Sequence, residues 1–103
     1  MTTQRRLAPD DRRQLILEAA INLATADGYI SLTRGAVASH AGISPALVTF
    51  YYLSTRLLLQ AVMEEAVRRE ILPVIAEGLA TRCPIALAAP PAVRQAAIAG
   101  LVV

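Results

Sequence analysis

A chain of 103 residues, 55% of them hydrophobic, has enough apolar surface for one small core and too little length for two. Its formal charge of +2 is unevenly placed: residues 1–56 hold six arginines and four acids, the remainder holds four of each, and there is no lysine. No apolar run reaches the eighteen or so residues of a membrane span, and the N-terminus lacks the charged-then-apolar layout of a signal peptide, so a cytoplasmic chain is expected. The single cysteine, Cys83, has no partner for a disulfide or a thiolate zinc site and is expected to be inert.

Residues 1–9 read as a flexible basic arm. From there Arg5 and Arg6 could reach a DNA minor groove, or the arm is simply a solvated terminus. Asp10 and Asp11 are placed to cap and charge-stabilise the first helix. Its apolar stripe, Ile16, Ala19, Ala20, Leu23 and Ala24, has the spacing of one buried helical face. Gly28 ends it.

Residues 34–53 have the layout of a helix-turn-helix, two short helices joined by a glycine-centred turn. Ala38, Gly42 and Val48 occupy its fifth, ninth and fifteenth places. A small residue is needed where the helices cross closely, a glycine where the turn is left-handed, and an apolar residue where the second helix packs inward. Thr33 can cap the first of these helices. His40 ends it, as a dipole cap or a surface residue, with no further metal ligands nearby. Ser44 and Pro45 make a strong start for the second, which is expected to run from about Pro45 to Tyr51.

Helical spacing turns Ser44, Pro45, Ala46, Thr49 and Phe50 outward and Leu47, Val48 and Tyr51 inward, and Tyr52 is expected in the core. An edge of Phe50 or Tyr51 could still touch a DNA backbone. Thr49 offers a hydroxyl, and a methyl that can meet thymine; Ala46 offers apolar contact only. Arg34, at a helix start, is a candidate phosphate contact or an ordinary surface charge.

Ser54 can cap a fourth helix over residues 54–72, carrying Leu58, Leu59, Val62, Met63, Ala66 and Val67 before Pro73 interrupts it. Glu64, Glu65, Glu70 and Glu77 read as exposed, pairing with Arg68 and Arg69 at helical spacing. In the tail, 73–103, residues 74–80 suggest a short helix, 83–91 a proline-broken stretch and 92–102 a last helix. Ala92, Ala96 and Gly100 lie four apart beside Val93, Ala97 and Leu101. That small-residue face, with the apolar side of helix four, is expected to form a twofold dimer interface, unless the tail folds back on its own domain.

The order and spacing of these pieces resemble the N-terminal DNA-binding domain of the tetracycline-repressor (TetR) family of bacterial regulators, over roughly residues 12–65. The pieces that carry the resemblance are the 16–20 region, Gly28-Tyr29 followed by Leu32-Thr33, Val37-Ala38, Ala41-Gly42-Ile43-Ser44, and residues 45–54 with the leucines after them. The fold class this implies is all-α: a homeodomain-like, three-helix helix-turn-helix domain over 10–53, then helix four and a short helical dimerisation segment.

The resemblance also implies a dimeric repressor that binds double-stranded DNA at an inverted-repeat operator. Arg5, Arg6, Thr33, Arg34, Ser44, Pro45, Ala46, Thr49, Phe50, Tyr51, Thr55 and Arg56 are its candidate DNA contacts. Two departures matter, since the family commonly has an aromatic residue or histidine at Thr49 and a lysine at Thr55, both resembling positions that touch phosphate. Arg56 could substitute. Family members also usually carry a much longer C-terminal effector domain, so no small-molecule effector and no cofactor are expected here. No phosphate-cradling glycine loop, serine elbow or metal-ligand spacing suggests an enzyme. A protein-interaction module that pairs with another regulator is the alternative reading.

Overall fold

The computed structural model describes residues 9–102, so the basic arm with Arg5 and Arg6 lies outside the described residues. Among them are seven α-helices and no strand: α1 (Pro9–Asp27), α2 (Arg34–Ala41), α3 (Pro45–Tyr51), α4 (Thr55–Arg69), α5 (Leu72–Ala80), α6 (Pro84–Leu87) and α7 (Pro91–Val102). A 3-10 turn, Tyr29–Ser31, links α1 to α2. The all-α architecture agrees with the expectation. No single helix among the described residues is long and apolar enough to cross a membrane.

α1 buries Ile16, Ala19, Ala20 and Ala24, and also Ile21, whereas Leu23 is only half-buried. The stripe is wider than a single face, and α1 packs against both α2 and α4. The expected capping role of Asp10 and Asp11 is corrected: both lie within α1, which is described from Pro9.

The three hydroxyl caps form as the sequence suggests. Thr33 accepts the Ala36 N–H at 3.0 Å, Ser44 that of Leu47 at 3.3 Å and Ser54 that of Leu57 at 3.1 Å. Each satisfies an N–H that the helix itself leaves unpaired. Gly42 closes α2 at φ 75, and the Ile43 N–H returns to the Ala38 carbonyl at 3.0 Å. A Cβ on Gly42 would touch nothing within 4 Å. The glycine is therefore required by the left-handed backbone and not by lack of space.

Helix four stops short of the expected residue 72. α4 ends at Arg69 with Glu70 left-handed at φ 56, and the Ile71 N–H bonds the Ala66 carbonyl at 2.8 Å. Pro73 then stands inside the first turn of α5, where its missing N–H costs nothing. Leu58, Val62, Met63 and Ala66 of α4 join Val74, Ile75 and Ala76 of α5 and Ala86 of α6 in one core with α1 to α3. Leu59 and Val67 lie half-buried at its edge.

The acids are less free than expected. Glu65 accepts from both Arg68 and Arg69, and Arg69 also reaches Glu18, so α1 and α4 are tied by one charged network. The Arg68 guanidinium, followed by Arg69, holds the Glu65 carboxyl down at about 2. Glu70 is a helix terminator, and Glu77 accepts the Tyr29 backbone N–H, pinning the 3-10 turn to α5. Tyr29 is buried, which pushes its phenol up to about 12, and its hydroxyl donates to the Leu59 carbonyl at 3.2 Å.

α7 packs along α5, with Ala97 buried and Val93 half-buried against the core. Ala92 and Ala96 remain exposed. Gly100 borders an apolar hollow of about 310 Å³ formed with Leu72, Pro73, Ala76, Glu77, Ala80 and Ala97. The apolar side of α4, expected to share a dimer interface, is instead spent on the chain's own core.

Candidate nucleic-acid interface

α2 and α3 are held together by the Gly42 turn and anchored by Val37, Ala38 and Val48, all within 1% of full burial. With α3 fixed by Val48, its other side faces solvent. Ser44, Pro45, Ala46 and Phe50 are exposed, Phe50 at 70%, while Leu47, Thr49 and Tyr51 are half-buried. The outward set follows the helical spacing except at Thr49, which is half-buried like Leu47 and Tyr51.

Thr49 and Arg34 are joined. The Arg34 Nη1 donates to the Thr49 hydroxyl at 3.0 Å, and that hydroxyl donates to the Pro45 carbonyl at 3.2 Å. Arg34 is thus neither a wandering surface charge nor independent of α3: it lies across the start of α2 and props the middle of α3. Thr33, Arg34, Gly35, Pro45, Ala46, Thr49 and Thr55, with Leu32, line an open hollow of about 510 Å³. The structure therefore gathers Thr33, Arg34, Pro45, Ala46, Thr49 and Thr55 at one place. Ser44 sits at the α3 cap, Arg56 is exposed in the first turn of α4, and Phe50 and Tyr51 stand at the far end of α3.

Two features escaped the reading of the sequence. No aspartate or glutamate occurs between Asp27 and Glu64, so the hollow and both helices beside it are free of acid while Arg34 lines it. That signal was present as a gap in charge, and only the fold gives it a location. The second feature is Arg13, which had no signal at all. From α1 its Nη1 donates to the Tyr51 carbonyl at 2.8 Å, across 38 positions of sequence, and its guanidinium lies 5.7 Å and 5.2 Å from the Tyr51 and Tyr52 ring centres. A cation at the C-terminal end of α3 complements that helix's dipole and covers two aromatic faces.

Tyr52 is buried, as expected, and its hydroxyl donates to the Arg13 carbonyl at 3.4 Å. Burial raises its phenol above the ordinary value even though Arg13 opposes the shift. Phe50 meets the Tyr51 ring edge-on at 5.1 Å. Among the described residues, no three His, Cys, Asp or Glu side chains come together in a group that could hold a metal ion. The arrangement presents a shallow, acid-free surface with one exposed helix and helix N-termini beside it, which suits a polyanion.

The sequence model of a family described as bacterial regulatory proteins, tetR family, matches residues 16–62, from the first buried turn of α1 to the middle of α4. No curated protein and no solved structure matches the chain.

Proposed function

From a chain that belongs, through its helix-turn-helix segment at residues 16–62, to the tetR family of bacterial regulatory proteins, we propose a repressor that binds an inverted-repeat operator as a dimer. The family's members are DNA-binding transcriptional regulators, and α3 is the element that enters the major groove. The observation that carries the reading is the exposed side of α3 lying next to a hollow lined by Arg34 and by no acid.

In this reading Thr33, Arg34, Thr55 and Arg56 approach phosphates on one strand, with Ser44 and Tyr51 touching the backbone at the two ends of α3. Pro45, Ala46, Thr49 and Phe50 face the bases. Arg5 and Arg6, outside the described residues, would reach the adjacent minor groove. One reading head gives weak binding, whereas two related by a twofold axis read half-sites about 34–36 Å apart. The surfaces left for the second copy are the exposed flank of α7, with Ala92, Ala96 and Ile98, and the apolar hollow between α5 and α7.

The test is selection of genomic fragments by the purified protein, then titration of the best fragment at two salt concentrations. A palindromic site whose affinity falls steeply with salt is expected, because released counterions drive phosphate binding. Arg34→Ala should lower affinity on specific and unrelated duplexes and reduce the salt slope by about one, with the larger loss on the specific site because Thr49 also loses its partner. Weak, sequence-indifferent binding by the intact protein would overturn the reading and favour a module that pairs with another regulator.

A further inference from the structure

Resting on that reading, we infer that α3 selects its DNA through the 5-methyl groups of thymine, so that the half-site carries thymines opposite Pro45, Ala46, Thr49 and Phe50. α3 contains no charged and no amide side chain. The side chains that read guanine or adenine by paired hydrogen bonds, Arg, Lys, Asn and Gln, are therefore missing from the helix that enters the groove.

Both outward hydroxyls already bond within the protein, and only the Ser44 O–H is left to donate. Ser44 Oγ accepts the Leu47 N–H, and Thr49 Oγ1 accepts from Arg34 while donating to the Pro45 carbonyl. Arg34 in turn holds Thr49 with one of its nitrogens. The remaining phenol, on Tyr51, belongs to a half-buried ring beneath Arg13.

What α3 offers outward is thus mainly carbon: the Pro45 ring, the Ala46 methyl and a phenyl ring at 70% exposure, with the half-buried Thr49 beside them. In the major groove the apolar partner for such a surface is the thymine methyl, which no other base carries. The occupant is duplex DNA because Arg34 lies beside this carbon strip and no acid lines the hollow next to it.

The test uses the best-bound duplex from the genomic selection, synthesised once with thymine and once with deoxyuridine in the half-sites. The two share every phosphate and every pairing edge and differ in the 5-methyl groups. Thymine should be preferred by about fourfold for each methyl contacted, the ratio that corresponds to about 0.8 kcal/mol per buried carbon. Phe50→Ala and Thr49→Ser, which remove carbon, should shrink that ratio, and Thr49→Val, which keeps the methyl and loses the hydroxyl, should retain it. Circular dichroism reports that each variant is folded. Equal affinity for the two duplexes, or a thymine preference that survives both carbon-removing variants, would overturn the inference while leaving the operator-binding reading intact. Failure to bind any duplex selectively would overturn that reading itself.

Discussion

Two glycines illustrate how one residue type answers two different constraints. Gly42 is demanded by φ alone, and its surroundings are open; Gly78 sits in ordinary helical backbone but under α4, where a Cβ would lie 2.5 Å from Met63 Cε and 2.7 Å from Ala86 Cβ. Met63 can move its terminal methyl. Ala86 cannot. Gly78→Ala should therefore lower stability by about 1 kcal/mol or more through overpacking, despite the helix preference of alanine, and Ala86→Gly in the same chain should recover part of it, read by denaturant unfolding. The turn signal of Gly42 was legible because backbone handedness is local, whereas nothing around Gly78 in the chain announces the helix that crosses it. Arg13 is another residue of the second kind. Arg13→Ala removes a charged hydrogen bond to the end of α3, so the ratio of specific to non-specific DNA affinity should drop, by about tenfold if the bond is worth about 1.5 kcal/mol. An unchanged ratio in parallel titrations would mean that α3 is held in place without it.

At the scale of elements, the starts of helices were more legible than their ends. Thr33, Ser44 and Ser54 cap because a hydroxyl one residue before a helix meets its own N–H groups, which is a matter of three residues. The end of α4 had no such mark: Glu70 is left-handed without being glycine, and its strain is offset by the hydrogen bonds that close the turn and by the apolar chain that follows into α5. The charged tie between α1 and α4 was likewise half-visible. The spacing of Glu65 and Arg69 predicts a pair within α4, but Glu18 joins from 51 positions away. Because Glu65 titrates at about 2 in the fold against an ordinary 4.5, its contribution is complete above the ordinary value and disappears as pH falls through that window. Glu65→Gln should cost about 1 kcal/mol or less near neutral pH, given the exposure of Arg68, and progressively less as pH falls toward 2, as followed by thermal unfolding across that range.

For the whole molecule, the dimer proposal turns on what α7 leaves uncovered. Its inner side, Ala97 and Val93, is occupied by the chain's own helices, so a second copy has the outer side to meet. Ala96 is exposed and its replacement leaves the core untouched. Ala96→Arg should give a folded monomer by light scattering and weaken binding to the palindromic site by about a hundredfold, since the second reading head no longer binds as part of the same particle. A variant that stays dimeric would move the interface elsewhere on the surface. The sequence by itself determined the starts of α2, α3 and α4, the Gly42 turn, most of the outward side of α3 and the likeness of residues 16–62 to the tetR family, because each depends on contacts within a few residues or on a spacing repeated along one helix. Only the tertiary structure decided that Arg13 clamps α3, that Arg34 and Thr49 share a hydrogen bond, that α4 spends its apolar side internally and that α7 lies back along α5. Those are contacts between residues distant in the chain, and they exist only once one core has brought the helices together.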